Sequence, residues 1–456
     1  MGTNFPITRS VLDWLEQIIS ERFGYKWSLT LCTACIKLEL VGETGSVIFD
    51  VLEPVLTQSR SDQPFTWWDA EREGWKSVLG GSLPSPGVER MPYPLIEKRG
   101  NCTYVHYDIP GLIYWMLARI EEIGRTELDD HERFPATSSH AYKNRYLDRP
   151  VVDEWLHVLG QVIERQWLGV VLKRHEFKLS LSHDVDRPAR YGFANPYNLI
   201  RRMVGDFARG EIRSVLHALT SSLKTKTTID KLDPFNTFDW IMDQSEYLGL
   251  TSDFYFLCGK TSTAMDGEYD IEHPSIRYLL RRIYARGHRI GLHPSYNTFV
   301  DAGEINREAN KLRQVCEGEG IKQFDWASRM HYLRWKQPKT LRGLETAGIA
   351  FDSTLTYADY AGFRCGTCFE YPMFDAFASE AVRVRERPLI AMEASIFNKK
   401  YMALDAENGL DLLRDYKNKC KKLGGIFTLL WHNSELTKGS YASKMYSRFI
   451  TDDSCG

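Results

Sequence analysis

The feature that most constrains this chain is an apolar strand that stops abruptly on titratable side chains. Leu179-Ser-Leu-Ser-His-Asp-Val-Asp186 alternates like a strand and then delivers His183, Asp184 and Asp186 at its end. Residues two apart on a strand share a face, so Asp184 and Asp186 point the same way. Two crowded carboxylates repel unless a cation or a shared proton relieves them. A strand end whose Asp side chains merely cap a turn has the same letters. Three titratable groups within four residues are nevertheless unusual for a buried core and favour a functional site.

The pattern recurs. Gly287-His-Arg-Ile-Gly-Leu-His293 is a short strand ending in His293, and its Gly291 lets another group approach closely. Phe427-Thr-Leu-Leu-Trp-His432 again ends an apolar strand on one His. Further short strands are predicted at 177–182, 252–257, 288–292, 323–326, 351 and 425–430, with helices near 197–207, 236–247, 274–286, 303–317 and 337–346. Such alternation predicts an α/β fold with a mostly parallel sheet or barrel. Active groups in these folds gather at the C-terminal ends of the strands, which is where the His and Asp residues fall. Imidazole plus carboxylate suits zinc or another divalent transition ion.

The first 170 residues read differently. A helix is expected over 8–22, strands over 27–40 and 45–55, irregular chain over 56–100, and helices over 111–123 and 152–167. Residues 126–150 are polar and aperiodic, and they read as a linker or strap. The expected division is an accessory α/β domain over 1–170 and a larger domain over 171–456.

The strand-end motifs, in this order, resemble the polysaccharide deacetylase superfamily (NodB-homology, carbohydrate esterase family 4) across about residues 176–436. The resemblance implies a distorted (β/α)7-type barrel. It implies Asp184 as catalytic base, Asp186 and His293 as metal ligands, and His432 as general acid. Ser328-Arg-Met-His-Tyr-Leu-Arg334 resembles the third motif, with Arg329 orienting Asp184, and Phe351-Asp-Ser-Thr354 the fourth, with Asp352 as a supporting carboxylate. His293-Pro-Ser-Tyr296, His331-Tyr-Leu-Arg334 and Gly362-Phe-Arg-Cys-Gly366 resemble a narrower subgroup with an extra N-terminal α/β domain, found among surface-polysaccharide functions.

One departure bears on the metal. The family's second metal His falls at Asn297, a weaker ligand for zinc. His331, His183 or water would have to compensate, and His331 stands where the family has Pro. The implied cofactor is a divalent ion: Zn2+, or Co2+, Mn2+ or Ni2+ in its place. The implied reaction is N-deacetylation of a sugar or glycan precursor. The alternatives are an amide or imide hydrolase on a non-carbohydrate substrate and a catalytically silent carbohydrate-binding or assembly module. Tyr357, Asp359, Phe363 and Arg364 follow the fourth motif on a Gly-containing loop and are expected to touch substrate. An Arg there suits a phosphate, a carboxylate or a nucleotide-linked sugar.

Composition narrows the partners. Fifty-eight Lys and Arg against sixty Asp and Glu leave a net charge of −2, without the footprint of a nucleic-acid binder. No run of apolar residues predicts a membrane span, and the polar N-terminus does not read as a signal peptide. Nine cysteines, an odd number, are read as reduced thiols of a cytoplasmic protein, with oligomerisation left open. The Cys32–Cys35 and Cys365–Cys368 pairs are too far apart in sequence for a zinc knuckle.

Overall fold

The computed structural model describes residues 2–210 and 212–452. Helix α1 (Arg9–Phe23) starts at Thr8, whose side chain accepts from the Val11 N–H, and stops at Gly24 in the left-handed region (φ 87°). Val11, Leu12, Leu15, Ile18 and Ile19 form its buried stripe. Trp14 sits beside them, edge-on to Tyr114 and tilted against Phe374, and its Nε1 donates to the Pro372 carbonyl at 2.7 Å.

Strands β1 (Trp27–Leu31), β2 (Cys35–Leu40) and β3 (Ser46–Asp50) form a meander, so the strand expected over 27–40 is a hairpin turning at Cys32–Ala34. The segment expected to be irregular holds β4 (Phe65–Trp68) and β5 (Leu83–Pro86), a separate antiparallel pair, and β6 (Ile96–Arg99). Strand β7 (Cys102–Val105) completes a five-stranded sheet of order β1-β2-β3-β7-β6. Helices α2 (Ile109–Leu117), α3 (His140–Lys143) and α4 (Val151–Gln166) follow.

The second sheet uses β8 (Lys178–Val185), β9 (Ser252–Leu257), β10 (Arg289–His293), β11 (Ala327–Ser328), β12 (Phe351–Asp352), β13 (Tyr371–Asp375), β14 (Glu380–Glu386), β15 (Ala391–Met392) and β16 (Ile426–Leu430). Its order is β13-β14-β12-β11-β10-β9-β8-β16-β15, parallel throughout except for β13 against β14. The parallel α/β sheet follows the expected alternation. The ladder has two ends, β13 and β15, so hydrogen bonds among the described residues do not close it into a barrel. Helices α5 (Pro196–Ala208) and α6 (Ile212–Lys224) are inserted between β8 and β9.

One contiguous apolar core runs from α1 through both sheets. Buried ion pairs reinforce it: Arg119 and Arg364 share Glu122, and Arg22 meets Asp153, which also accepts from Thr367 and Cys368. The 126–150 segment is a strap over one end of the large sheet. Ala136 N donates to Asp359, and the Arg133 guanidinium to the Tyr332 carbonyl. No described helix is long and apolar enough to cross a membrane.

Candidate active site

Parallel strands β8, β10, β11 and β16 lie close together in the sheet and end at the same side, so their terminal side chains converge. Asp186 Oδ1 lies 3.3 Å from His293 Nε2 and 3.6 Å from His331 Nε2. The ligating atoms of these three residues all fall within 4.8 Å of one another, and among the described residues no other three His, Cys, Asp or Glu side chains do so.

Both imidazoles are fixed from behind. His293 Nδ1 lies 2.5 Å from the Arg329 carbonyl, and His331 Nδ1 lies 3.0 Å from Asp266 Oδ1. In each, an acceptor behind Nδ1 places the proton there and leaves an Nε2 lone pair facing Asp186. Asp186 Oδ1 is buried and has no hydrogen-bond partner. One carboxylate oxygen and two imidazole lone pairs aimed at a common point repel one another until a cation joins them. The donor set fits a divalent transition ion. Without an ion, a proton fills the gap: burial pushes His331 down, but Asp186 and Asp266 lift it to about 9.

Asp184 is nearly buried, with Oδ1 accepting from Arg329 Nη1 at 2.8 Å and Oδ2 facing His293 Nε2 at 3.8 Å. Arg329 is wholly buried and satisfied on every side by Ser182, the Ser353 hydroxyl and carbonyl, and Asp184. Its guanidinium lies 4.6 Å from the centre of the Tyr255 ring. A Cβ on Gly291 would sit 2.3 Å from Tyr255 Cδ1, so the close approach expected at this glycine is made by Tyr255. Asp352 accepts from Ser328 Oγ and Thr354 N, a buried carboxylate behind Arg329.

His432 stands on the other side. Its Nδ1 is 2.5 Å from Glu393 Oε1, and its Nε2 is 3.6 Å from Asp186 Oδ2. Burial opposes its proton, but Glu393, with smaller contributions from Asp186 and Asp184, raises it to about 10.

The structure thus brings together Asp184, Asp186, His293, Arg329, His331 and His432. It corrects several other expectations. Asn297 is outside the cluster and exposed: its Nδ2 donates to the Thr261 carbonyl and its Oδ1 accepts from Arg334. His183 alternates to the opposite face of β8. Its Nδ1 meets the Trp431 carbonyl, and its ring packs between Phe254 and Tyr446. Tyr357, Phe363 and Arg364 are buried rather than presented to substrate, because Arg364 is occupied by Glu122 and the Thr356 carbonyl. Asp359 anchors the strap through the Ala136 N–H.

Sequence reasoning missed three contributors. Glu393 follows Leu389-Ile-Ala-Met392, another apolar run ending on an acid, so its signal was present. Asp266 lies in the irregular loop after β9, where no periodicity marks it. The strap supplies His131, whose ring lies 5.9 Å from Tyr296 and 4.7 Å from Tyr332, forming an aromatic rim. Tyr332 and Leu333 hold left-handed backbone (φ 61° and 58°) directly after His331. Two consecutive non-glycine residues there store strain, which recurs at functional sites.

Residues 15–168 match a sequence family of unknown function, DUF7033. No curated protein matches the sequence. Among solved structures, the chain is similar to a protein assigned as a polysaccharide deacetylase from Mycobacterium smegmatis, at 14% identity over 62% of this chain and 84% of that one, with a TM-score of 0.38. It is similar to PuuE allantoinase at 12% identity over 62% and 85% of the two chains, with a TM-score of 0.37. A protein assigned as a polysaccharide deacetylase from Pseudomonas aeruginosa PAO1 follows at 13% identity over 60% and 84%, with a TM-score of 0.35.

Proposed function

We propose that this protein is a divalent-metal-dependent amidohydrolase that removes an N-acetyl group from a sugar or glycan precursor, in the cytoplasm and in surface-polysaccharide synthesis. The observation that carries this reading is the flanking of the Asp186–His293–His331 cluster by two side chains with opposite partners, Asp184 held by the Arg329 cation and His432 held by the Glu393 carboxylate. Zn2+ or a similar ion bound there would supply Lewis-acid polarisation of the amide carbonyl and acidify a water.

The protein groups divide the proton work. Asp184 commits Oδ1 to Arg329, which leaves Oδ2 turned toward the cluster to accept the proton of the attacking water. His432 keeps its proton at neutral pH because Glu393 lies behind Nδ1, so Nε2 can donate to the departing amine nitrogen. An amine leaves poorly without that proton, and proton transfer of this kind contributes about 100-fold or more to the rate. Asp266 and the Arg329 carbonyl hold the two metal-side imidazoles in one orientation. The Tyr296, Tyr332 and His131 rings offer flat faces suited to a sugar ring.

The test is acetate release from a panel of nucleotide-linked N-acetyl sugars and N-acetylated oligosaccharides, with the metal content of the same samples measured. Asp184→Asn is expected to abolish turnover while metal stays bound. Turnover that survives this change would overturn the assignment.

A further inference from the structure

We propose that the α5–α6 hairpin docks the protein on an anionic lipid bilayer surface, its helices lying in the interface without spanning it. Helix α5 turns Tyr197, Ile200, Val204 and Phe207 to solvent, at 3- and 4-residue spacing along one face. Helix α6 does the same with Ile212, Leu216, Leu219 and Leu223. These side chains are between 57% and 74% exposed, which is the reverse of an ordinary packed helix pair.

The inner side explains why the hairpin keeps this orientation. It buries only a small cluster of Tyr191, Leu199 and Ala218, with Met203 packed against it. Polar anchors do the rest. Asp206 is buried and paired with Arg190, and the Tyr191 hydroxyl donates to it at 2.5 Å. Asp233 accepts from the Arg190 and Tyr191 N–H groups and from Ser221 Oγ. The bulkier apolar face is therefore held outward by a specific hydrogen-bonded base.

Charge selects the occupant. Residues 196–231 carry seven Lys and Arg against three Asp and Glu, a local charge of +4 in a chain whose total is −2. Arg201, Lys224, Lys226 and Lys231 are exposed. An apolar face bordered by basic side chains is the composition of helices that lie in a lipid headgroup layer, where anionic lipids attract each cation. A second copy of this chain fits less well, because a two-fold contact of the patch with itself would set +4 against +4.

The hairpin's placement fits a surface-facing role. It follows directly after the strand bearing Asp184 and Asp186. Glu268 grips it through Asn198 and Arg202, two residues from the Asp266 that holds His331. The proposal stands on the hairpin alone and does not depend on the reaction proposed above.

Vesicle flotation tests it, using the full chain with phosphatidylcholine–phosphatidylglycerol vesicles and with phosphatidylcholine alone. Binding is expected to the anionic vesicles and to weaken at high salt. Ile200→Asp/Leu216→Asp and Lys224→Glu/Lys226→Glu are each expected to bind at least about tenfold more weakly. All four positions are exposed, and an unchanged melting temperature checks that the variants fold. Failure to float with anionic vesicles, or flotation of both variants equal to that of the wild type, would overturn the proposal. So would a wild-type dimer that Ile200→Asp/Leu216→Asp splits, since that outcome assigns the face to a second copy.

Discussion

The rings of His293 and His331 meet edge to face with centroids 4.8 Å apart, and both Nε2 atoms are turned to the same oxygen of Asp186. The second imidazole comes from the strand-end segment of β11, not from the position four residues after His293. His331→Ala is therefore expected to weaken Zn2+ binding by more than about 100-fold, while Asn297→Ala leaves it nearly unchanged. Asp266→Asn, which removes only the carboxylate behind His331, is expected to cost about 10- to 100-fold. Titration calorimetry of metal-stripped protein measures all three, and strong loss in Asn297→Ala would refute the ligand set.

In the proposed reaction Glu393 acts through His432, whose Nδ1 it faces at 2.5 Å. Removing its charge takes away the group that most raises the His432 pKa from its ordinary value to about 10. A general acid works only while protonated, so activity falls as pH rises through that pKa. Glu393→Gln is expected to move the alkaline limb of the kcat profile to lower pH and to lower kcat by about tenfold or more, within the range that acid catalysis supplies. A profile whose alkaline limb does not move would separate Glu393 from proton transfer.

The Arg329 guanidinium rests over Tyr255, and Tyr255 fills the space that Gly291 leaves open. Gly291→Ala places a methyl inside van der Waals contact of the ring, and overpacking of this kind costs about 1–3 kcal/mol. Urea denaturation is expected to register that loss together with a lower kcat, because Arg329 orients Asp184. The double variant Gly291→Ala/Tyr255→Leu is expected to recover part of the stability.

The sheet was legible wherever short apolar runs ended in polar residues. Ser252–Leu257 matches its expected strand, and the helices at 274–286 and 303–317 lie within a residue or two of their expected ends. The β13–β14 hairpin escaped because Glu380-Ala-Val-Arg-Val-Arg-Glu386 is a half-exposed strand rich in charge, next to the β13 edge. Asp184 and Asp186 are legible because period-two alternation puts strand-end groups on one face, His293 and His432 because each ends an apolar strand, and Arg329 only through the family resemblance. The same alternation should have excluded His183, one residue from Asp184 and so on the opposite face. Arg364 misled because burial and pairing across 242 residues with Glu122 leave no trace in local sequence. Asn297 was tied to the metal by position alone, and the backbone after His293 carries it away to Thr261.

Two histidines buried as neutral rings should make the fold acid-labile. His140 is pushed down to about 4, chiefly by burial, although the Gln63 carbonyl that meets its Nε2 pulls the other way. His183 is pushed down to about 3, again chiefly by burial. Each ordinarily titrates near 6.5, so below that pH the unfolded chain binds more protons than the folded one, and stability falls as pH falls. The stabilisation is complete above pH 6.5 and is drawn down until the folded-state values are reached. At pH 5 each histidine should have cost about 2 kcal/mol relative to pH 7, taking 1.4 kcal/mol per unit. His183→Gln, which keeps an amide near the Trp431 carbonyl but cannot take up a proton, is expected to be less stable than the wild type at pH 7 and to lose less on going to pH 5. Chemical denaturation at the two pH values decides the matter: an unchanged pH dependence in His183→Gln would remove His183 as a source of the acid lability.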